Sequence, residues 1–278
     1  KPTLEIIPYT QNIGIANKES LICGWNLILK NLKKYKKNFI PLDSEHFSIH
    51  SLIKNYDISS IKNIYLTASG GPFLNKSLSF IKKSKLKEIV KHPNWKMGNK
   101  ISVDSASMMN KIFEIYEARN IFNIPLSKLK IIIHPKSLIH AIVEFNSGII
   151  KFLIHAPDMQ IPIYNFLFKD NQKNLYQSKN FNLYSMNGVN FVKPNTVKFP
   201  YLKLLNNKKI QNSYYYIILV TANDTFVQML IENKIFFLLM QKKLIKFMTN
   251  SPFTKYFNKK PSNIEDIKSM VYDIKEYN

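Results

Sequence analysis

Glycine is scarce in this chain: 278 residues hold only seven, Gly14, Gly24, Gly70, Gly71, Gly98, Gly148 and Gly188. No two are separated by a single residue, so no G-x-G-x-x-G can be written, and no G-x-x-x-x-G-K-[ST] either. A dinucleotide fingerprint and a Walker-type phosphate loop are both excluded from these residues. Cysteine is scarcer still. Cys23 stands alone, which rules out an intramolecular disulfide and fits a reducing compartment, a bacterial cytoplasm or a plastid, rather than secretion. Arginine is nearly absent: Arg119 is one of 40 basic residues, and the other 39 are lysines. The net charge, 40 − 18 = +22, therefore comes without the planar forks that recognise phosphates and bases. Lys, Asn and Ile are all abundant and share A/T-rich codons, so the charge reads as a solvated face, and no nucleic-acid partner is expected. The longest apolar stretches, near Tyr214–Ala222 and Ile235–Met240, are too short to span a bilayer, and no membrane partner is expected. The chain opens on Lys1 with no signal-peptide pattern, which suggests a sequence that starts inside a longer protein.

What is present is a folded chain: 45% hydrophobic and 13% aromatic residues exclude disorder as the main state. Leu4 to about Ile40 alternates helix and strand, with a basic helix near Leu27–Lys37. Ile61–Thr67 is strand-like and runs into the Gly70-Gly71-Pro72 turn. Met108, Met109, Ile112, Phe113, Tyr116 and Ile121 recur at helical spacing, predicting one helix from Ser105 to Ile121. Ile131–Ile133, Ala141–Phe145 and Gly148–Ile154 predict buried strands. The fold class is α/β to about residue 168, followed by a polar linker over 169–197 and a separate helical domain over 198–278.

Three clusters carry chemistry, each with a bland alternative. In Pro41-Leu42-Asp43-Ser44-Glu45-His46, an extended backbone would put Asp43 and Glu45 on one side, as hard oxygen ligands for Mg²⁺ or Mn²⁺. The bland alternative is a solvated turn with an acidic helix cap. In Asp104-Ser105 through Glu114, Ser105 is expected at a helix N-terminus, where with Asn110 and Lys111 it would grip a phosphate. There the alternative is an exposed ion pair between Lys111 and Glu114. His92-Pro93-Asn94-Trp95-Lys96-Met97-Gly98 reads as an aromatic loop that closes over a substrate, or as a loop merely anchored by its Trp.

Together these segments resemble the 1-deoxy-D-xylulose 5-phosphate (DXP) reductoisomerase family. The resemblance rests on Ala16-Asn17-Lys18-Glu19-Ser20, Pro41–His46, Leu66–Phe73, His92–Lys100, Ile101–Lys111 through Glu114, Glu117-Ala118-Arg119, His134–His140 and Pro157-Asp158-Met159, in family order. It implies an NADPH-dependent enzyme of isoprenoid synthesis that uses Mg²⁺ or Mn²⁺ to make 2-C-methyl-D-erythritol 4-phosphate from a sugar phosphate. By the same resemblance, Asp43, Glu45 and Glu114 would hold the metal. Ser69, Ser105, Asn110 and Lys111 would hold the substrate phosphate, and Lys18, Ser44 and His92 would contact substrate. Trp95 and Met97 match the flap and His140 the pocket histidine. Asn17, Glu19 and Gly98 match positions that touch NADPH. Lys18, Glu45, His92 and Glu114 are the expected catalytic set.

The resemblance further implies a homodimer, and it makes residues 1–42 a remnant of an NADPH-binding domain ahead of a catalytic domain over 43–168. Four places depart from the family pattern: Ala68 and Ile112 replace glycines, Phe168-Lys169 stands for Trp-Pro, and Asp224 stands for Glu. The absent glycine-rich loop leaves one alternative reading, a non-redox metal-dependent isomerase remnant.

Overall fold

The computed structural model describes residues 1–95, 97–168, 182–206 and 213–277. Of the expected linker, residues 169–181 lie outside that set and 182–197 within it.

At the start, α1 (Pro2–Ile6), β1 (Asn12–Ile15), α2 (Lys18–Cys23), α3 (Trp25–Tyr35) and β2 (Asn38–Pro41) form a small unit with β1 and β2 parallel. Its own core comprises Ile7, Ile13, Ile15, Leu21, Trp25, Ile28 and Leu32. The amphipathic α3 buries Trp25, Ile28 and Leu32 and leaves its lysines in water. It stops at Lys36, which turns left-handed.

Then follow α4 (Ser44–Ile53), β3 (Ile61–Ala68), α5 (Leu78–Lys83), α6 (Leu86–Ile89), α7 (Asn99–Ser107) and α8 (Met109–Phe122). The strands β4 (Leu129–Ile133), β5 (Ile139–Phe145) and β6 (Ile150–Ile154) complete a sheet of order β4-β3-β5-β6. The β3–β4 pair is parallel, joined by the long helical crossover, whereas β3–β5 and β5–β6 are antiparallel. One sheet face is apolar: Ile61, Ile64, Leu66, Leu129, Ala141 and Val143 pack beneath Ile49 and Ile53 of α4 and Ile115 and Ala118 of α8. The other carries Asn63 and Tyr65, both hydrogen-bonded to Glu144, so the strands alternate as a half-solvated sheet does. At its edge β6 is not the buried strand expected, because Ile150 and Phe152 face out.

The rest is helical: α9 (Gln160–Leu167), α10 (Ser213–Ile231), α11 (Phe237–Asn250) and α12 (Ile264–Tyr277). The segment after Pro200 does not build a core of its own. Tyr215, Ile218, Leu219 and Phe226 of α10 share one hydrophobic cluster with Val103, Met108, Met109, Ile112 and Phe113 of α7 and α8. Ala68 and Ile112, two of the departures from the family pattern, are both buried in that cluster.

The single helix expected over Ser105–Ile121 is two. Met108 is left-handed (φ 66°), closing α7 through its N–H to the Ser105 carbonyl (3.1 Å), and its own carbonyl receives the Ile112 N–H (3.2 Å). A left-handed Met is strained, and its near-complete burial in the shared core holds it there. Apolar spacing runs unchanged through such a break, so periodicity could not reveal it.

Candidate active site

Three helix N-termini meet beside the C-terminal end of β3. At the first, Asp43 caps α4: its Oδ1 accepts the Glu45 N–H at 3.3 Å. Asp43 and Glu45 therefore share a side through a helix start, not through the extended backbone expected, and the acidic cap and the converging carboxylates are the same object. At the second, Lys18 is the first residue of α2, whose cap is Asn17 accepting from the Ser20 N–H. At the third, Asn110 and Lys111 occupy the first turn of α8, with Glu114 one turn on. Ser105 belongs to the last turn of α7, so the expected helix N-terminus at Ser105 is corrected: the Met108 break puts that terminus at Met109.

Oxygens of Asp43, Glu45 and Glu114 lie within 4.8 Å of one another, the arrangement anticipated for a single ion. Two lysines thread between them. Lys18 pairs with Asp43 and sits 3.3 Å from Glu114, while Lys111 lies 2.8 Å from Glu45 and pairs with Glu114. Lys111 is buried, so the exposed ion pair offered as its alternative does not exist. The Asn110 amide donates to Glu114 Oε1 at 2.6 Å.

The charges follow from this packing. Burial opposes ionisation of Asp43, but Lys18 and His46 outweigh it and hold the carboxyl well below its usual range. Glu114 goes the other way, pushed up by burial and by Glu45. Burial would lower Lys18 and Lys111, but their carboxylate neighbours keep both ammonium groups charged. The three carboxylates converge, and their oxygen donors suit a hard divalent cation.

These side chains line one cavity of about 190 Å³ together with Ser44, Ser69, His92, Trp95, Met97, Ser105 and His140. Its far wall is built on His92. Backbone N–H groups of Trp95 (2.9 Å) and Asn94 (3.2 Å) donate to His92 Nδ1, which leaves its proton on Nε2, 2.9 Å from Ser69 Oγ. Burial, with a smaller push from Lys111, lowers the His92 pKa to about 4 and keeps the ring neutral. Ser69 Oγ also accepts the Gly71 N–H at 3.0 Å, so its own O–H is left to donate into the cavity. The Asn94 amide pins this loop to Pro135 O and Ser137 Oγ. His140 stacks on His155 with ring centroids 3.8 Å apart, and the Trp95 ring lies steeply inclined to it at 6.1 Å.

Asn17, Glu19 and Gly98 do not line this cavity: Asn17 and Gly98 stand at helix starts, and Glu19 reaches Lys100 at 2.6 Å. Thr67, Ile101, Met108, Ser137 and Met159 also line it; each lies in a segment that carries the family resemblance, but none was assigned a role from the sequence. His46, unassigned in the sequence, bridges Asp43 Oδ1 (3.0 Å) and the Glu114 carbonyl (2.9 Å). Its position three residues after Asp43 on a helix was the available signal.

Comparison with known proteins decides the family. A profile for the 1-deoxy-D-xylulose 5-phosphate reductoisomerase C-terminal domain matches residues 39–122, and one for the DXP reductoisomerase C-terminal domain matches residues 154–277. The Pelagibacter ubique 1-deoxy-D-xylulose 5-phosphate reductoisomerase is 49% identical over 270 residues, 97% of this chain and 69% of that protein. The chain belongs to the DXP reductoisomerase family. The Clostridium kluyveri DXP reductoisomerase is 35% identical over 99% of this chain and 70% of its own length. A crystal structure of DOX-P reductoisomerase in complex with NADPH, fosmidomycin and magnesium superposes with a TM-score of 0.88 at 31% identity, covering 99% of this chain and 71% of that one. The DXP reductoisomerase from Zymomonas mobilis in complex with NADPH superposes with a TM-score of 0.86 at 31% identity, over 99% of this chain and 69% of that one. Among the described residues no helix is long and apolar enough to cross a membrane.

Proposed function

We propose that this chain serves the DXP reductoisomerase reaction, the rearrangement and NADPH-dependent reduction of 1-deoxy-D-xylulose 5-phosphate to 2-C-methyl-D-erythritol 4-phosphate in the non-mevalonate isoprenoid pathway. The observation that carries this is the meeting of Asp43, Glu45 and Glu114 at one end of a cavity whose other residues suit a phosphate. Asp43, Glu45 and Glu114 would hold Mg²⁺ or Mn²⁺. When bound, that ion supplies Lewis acidity to the adjacent ketone and hydroxyl oxygens of the substrate.

The chain's own groups do the rest. Lys18 stays protonated and donates to substrate oxygen as charge develops there. The Ser69 hydroxyl, Ser105, the Asn110 amide, the Lys111 ammonium and the N-terminus of α8 hold the phosphate, so the remote end of the substrate orients the reacting end. His92 fixes Ser69 through its Nε2–H and the flap backbone through Nδ1. Trp95, Met97 and His140 exclude water, while Ser44 donates to Glu45. Asn17, Glu19 and Gly98 face the cofactor. A reducing cytoplasm or plastid suits the single cysteine.

The test is calorimetry with fosmidomycin, the phosphonate present in the related crystal structure. The chain is expected to bind it only with Mg²⁺ or Mn²⁺ present, and Glu114→Gln to lose most of that metal-dependent binding. Binding that ignores the metal would remove this reading.

We also propose that the chain forms a homodimer through the β6 edge of its sheet, where no further strand pairs among the described residues and β6 with the turn before it exposes Ile149, Ile150 and Phe152. Phe152→Lys should convert a dimer to a monomer in light scattering, and a wild-type monomer would refute the assembly.

A further inference from the structure

Beyond the cavity, the described residues hold a second charge cluster, to whose central cation, Lys100, the reaction assigns no task. Lys100, the second residue of α7, places its ammonium 2.6 Å from Glu19 Oε1 on α2, 3.3 Å from Asp104 Oδ2 one turn along α7, and 3.1 Å from Asp224 Oδ1 on α10. It also stands 5.8 Å from the centroid of the Phe113 ring on α8. Asp104 is almost completely buried, and its other oxygen accepts the Asn223 amide of α10 at 2.8 Å. One cation therefore joins three carboxylates from three elements. Asp224, the family departure in this region, takes part despite its shorter side chain.

The neighbours of these residues in sequence give the cluster its consequence. Glu19 directly follows Lys18, the cavity cation paired with Asp43. Lys100 lies three residues after Met97 and five before Ser105, both of which line the cavity. The Glu19–Lys100 contact thus spans from the α2 wall to the flap-and-α7 wall, and Asp224 with Asn223 anchors that span to the helical segment. Burial would lower the Lys100 pKa, but Asp104, Asp224 and Glu19 outweigh it and keep the link ionic. We infer that Lys100 is a positioning residue, whose ammonium ties α7 to α2 and α10 and so sets the spacing across the mouth of the cavity. The inference rests on the cavity being the phosphate and metal site.

Two measurements on the 278-residue chain test it: hydrogen exchange over residues 17–23 and 97–107, and calorimetric binding of fosmidomycin with Mg²⁺. Lys100→Met should speed exchange in both segments while leaving β3–β6 unchanged. It should weaken fosmidomycin roughly tenfold, the scale expected when binding groups are misplaced by a fraction of an ångström. Lys100→Arg, which keeps the charge, should recover most of that loss. Asp224→Asn leaves Glu19 and Asp104 on the ammonium, so it should shift both readouts less and in the same direction; it serves if Lys100→Met does not fold. Lys234→Met, which removes a surface pair with Glu232, should change neither. Unchanged exchange over 97–107 overturns the inference, and so does faster exchange with undiminished fosmidomycin affinity. If the wild-type chain takes up no fosmidomycin, the proposed function fails, while the exchange measurement still decides whether Lys100 joins the two walls.

Discussion

Lys111 is paired with two carboxylates of the proposed metal set and is also asked to hold a phosphate, which makes Lys111→Met an informative perturbation. Its ammonium lies 2.8 Å from Glu45 and pairs with Glu114, and the side chain is buried. Removing one partner from a buried ion pair costs about 3–5 kcal/mol, because the remaining charge is left without compensation. Here Asp43, Glu45 and Glu114 would be left with Lys18 and His46. Without divalent metal, urea denaturation should therefore show a loss of that order.

A divalent cation supplies two positive charges at the same oxygens, so added Mg²⁺ should recover much of the loss. At a hundredfold excess over Kd, binding adds about 2.7 kcal/mol to any folded state that takes the metal. The variant should bind Mg²⁺ at least as tightly as wild type, since a competing cation has gone. Fosmidomycin should weaken by about 1.5–3 kcal/mol, roughly ten- to more than a hundredfold, through loss of a charge-assisted contact. A metal-chelating ligand of similar shape without the phosphonate should lose far less. Equal destabilisation with and without Mg²⁺, or equal losses for the two ligands, would refute the reasoning.

Other expectations concern separate parts of the site. Glu114→Gln should weaken Mn²⁺ binding, read by electron paramagnetic resonance, by roughly ten- to a hundredfold or more; unchanged affinity would leave Glu114 outside the metal set. Gly71 is left-handed (φ 63°), and a Cβ there would meet the Ser105 carbonyl at 3.1 Å and the Ala106 Cα at 3.2 Å. Gly71→Ala should cost roughly 1–3 kcal/mol in denaturation and also weaken fosmidomycin, because α7 is pushed from the Ser69 turn. His92 and His140 sit at about 4, below the ordinary 6.5, owing to burial with help from Lys111 and His155 respectively. Their contribution to stability is thus complete above about pH 6.5 and lost as pH falls toward 4, and acrylamide quenching of Trp95 in a Trp25→Phe background should rise over that window. A flat profile there would show that the two rings carry no such linkage. Because these residues hold no glycine-rich turn, the 278-residue polypeptide should bind NADPH far more weakly than fosmidomycin with Mg²⁺; comparable affinities would show that Asn17, Glu19 and Gly98 suffice.

The candidate site residues could be named from the sequence because they come in short runs: Asp43-Ser44-Glu45-His46, the Ser69-Gly70-Gly71 turn and Asn110-Lys111 through Glu114. Residue type and spacing alone left the acidic run and the helix run each with a bland alternative, and the family resemblance supplied the roles. Strand and helix patterns likewise announced β3, α3 and the α8 face, where apolar side chains recur at the period of the element. Tertiary structure decided everything that depends on which runs meet. Met108 turns left-handed only because the shared core encloses it, and that one residue moved the helix start from Ser105 to Met109. Lys111 is a buried bridge between Glu45 and Glu114 because α4 and α8 approach across 66 residues of chain. The Lys100 cluster draws on α2, α7 and α10, and no window of sequence contains all three. Periodicity reports which face of an element is dry; it does not report which charged group another element will bring to that face, because that is set by how whole elements pack.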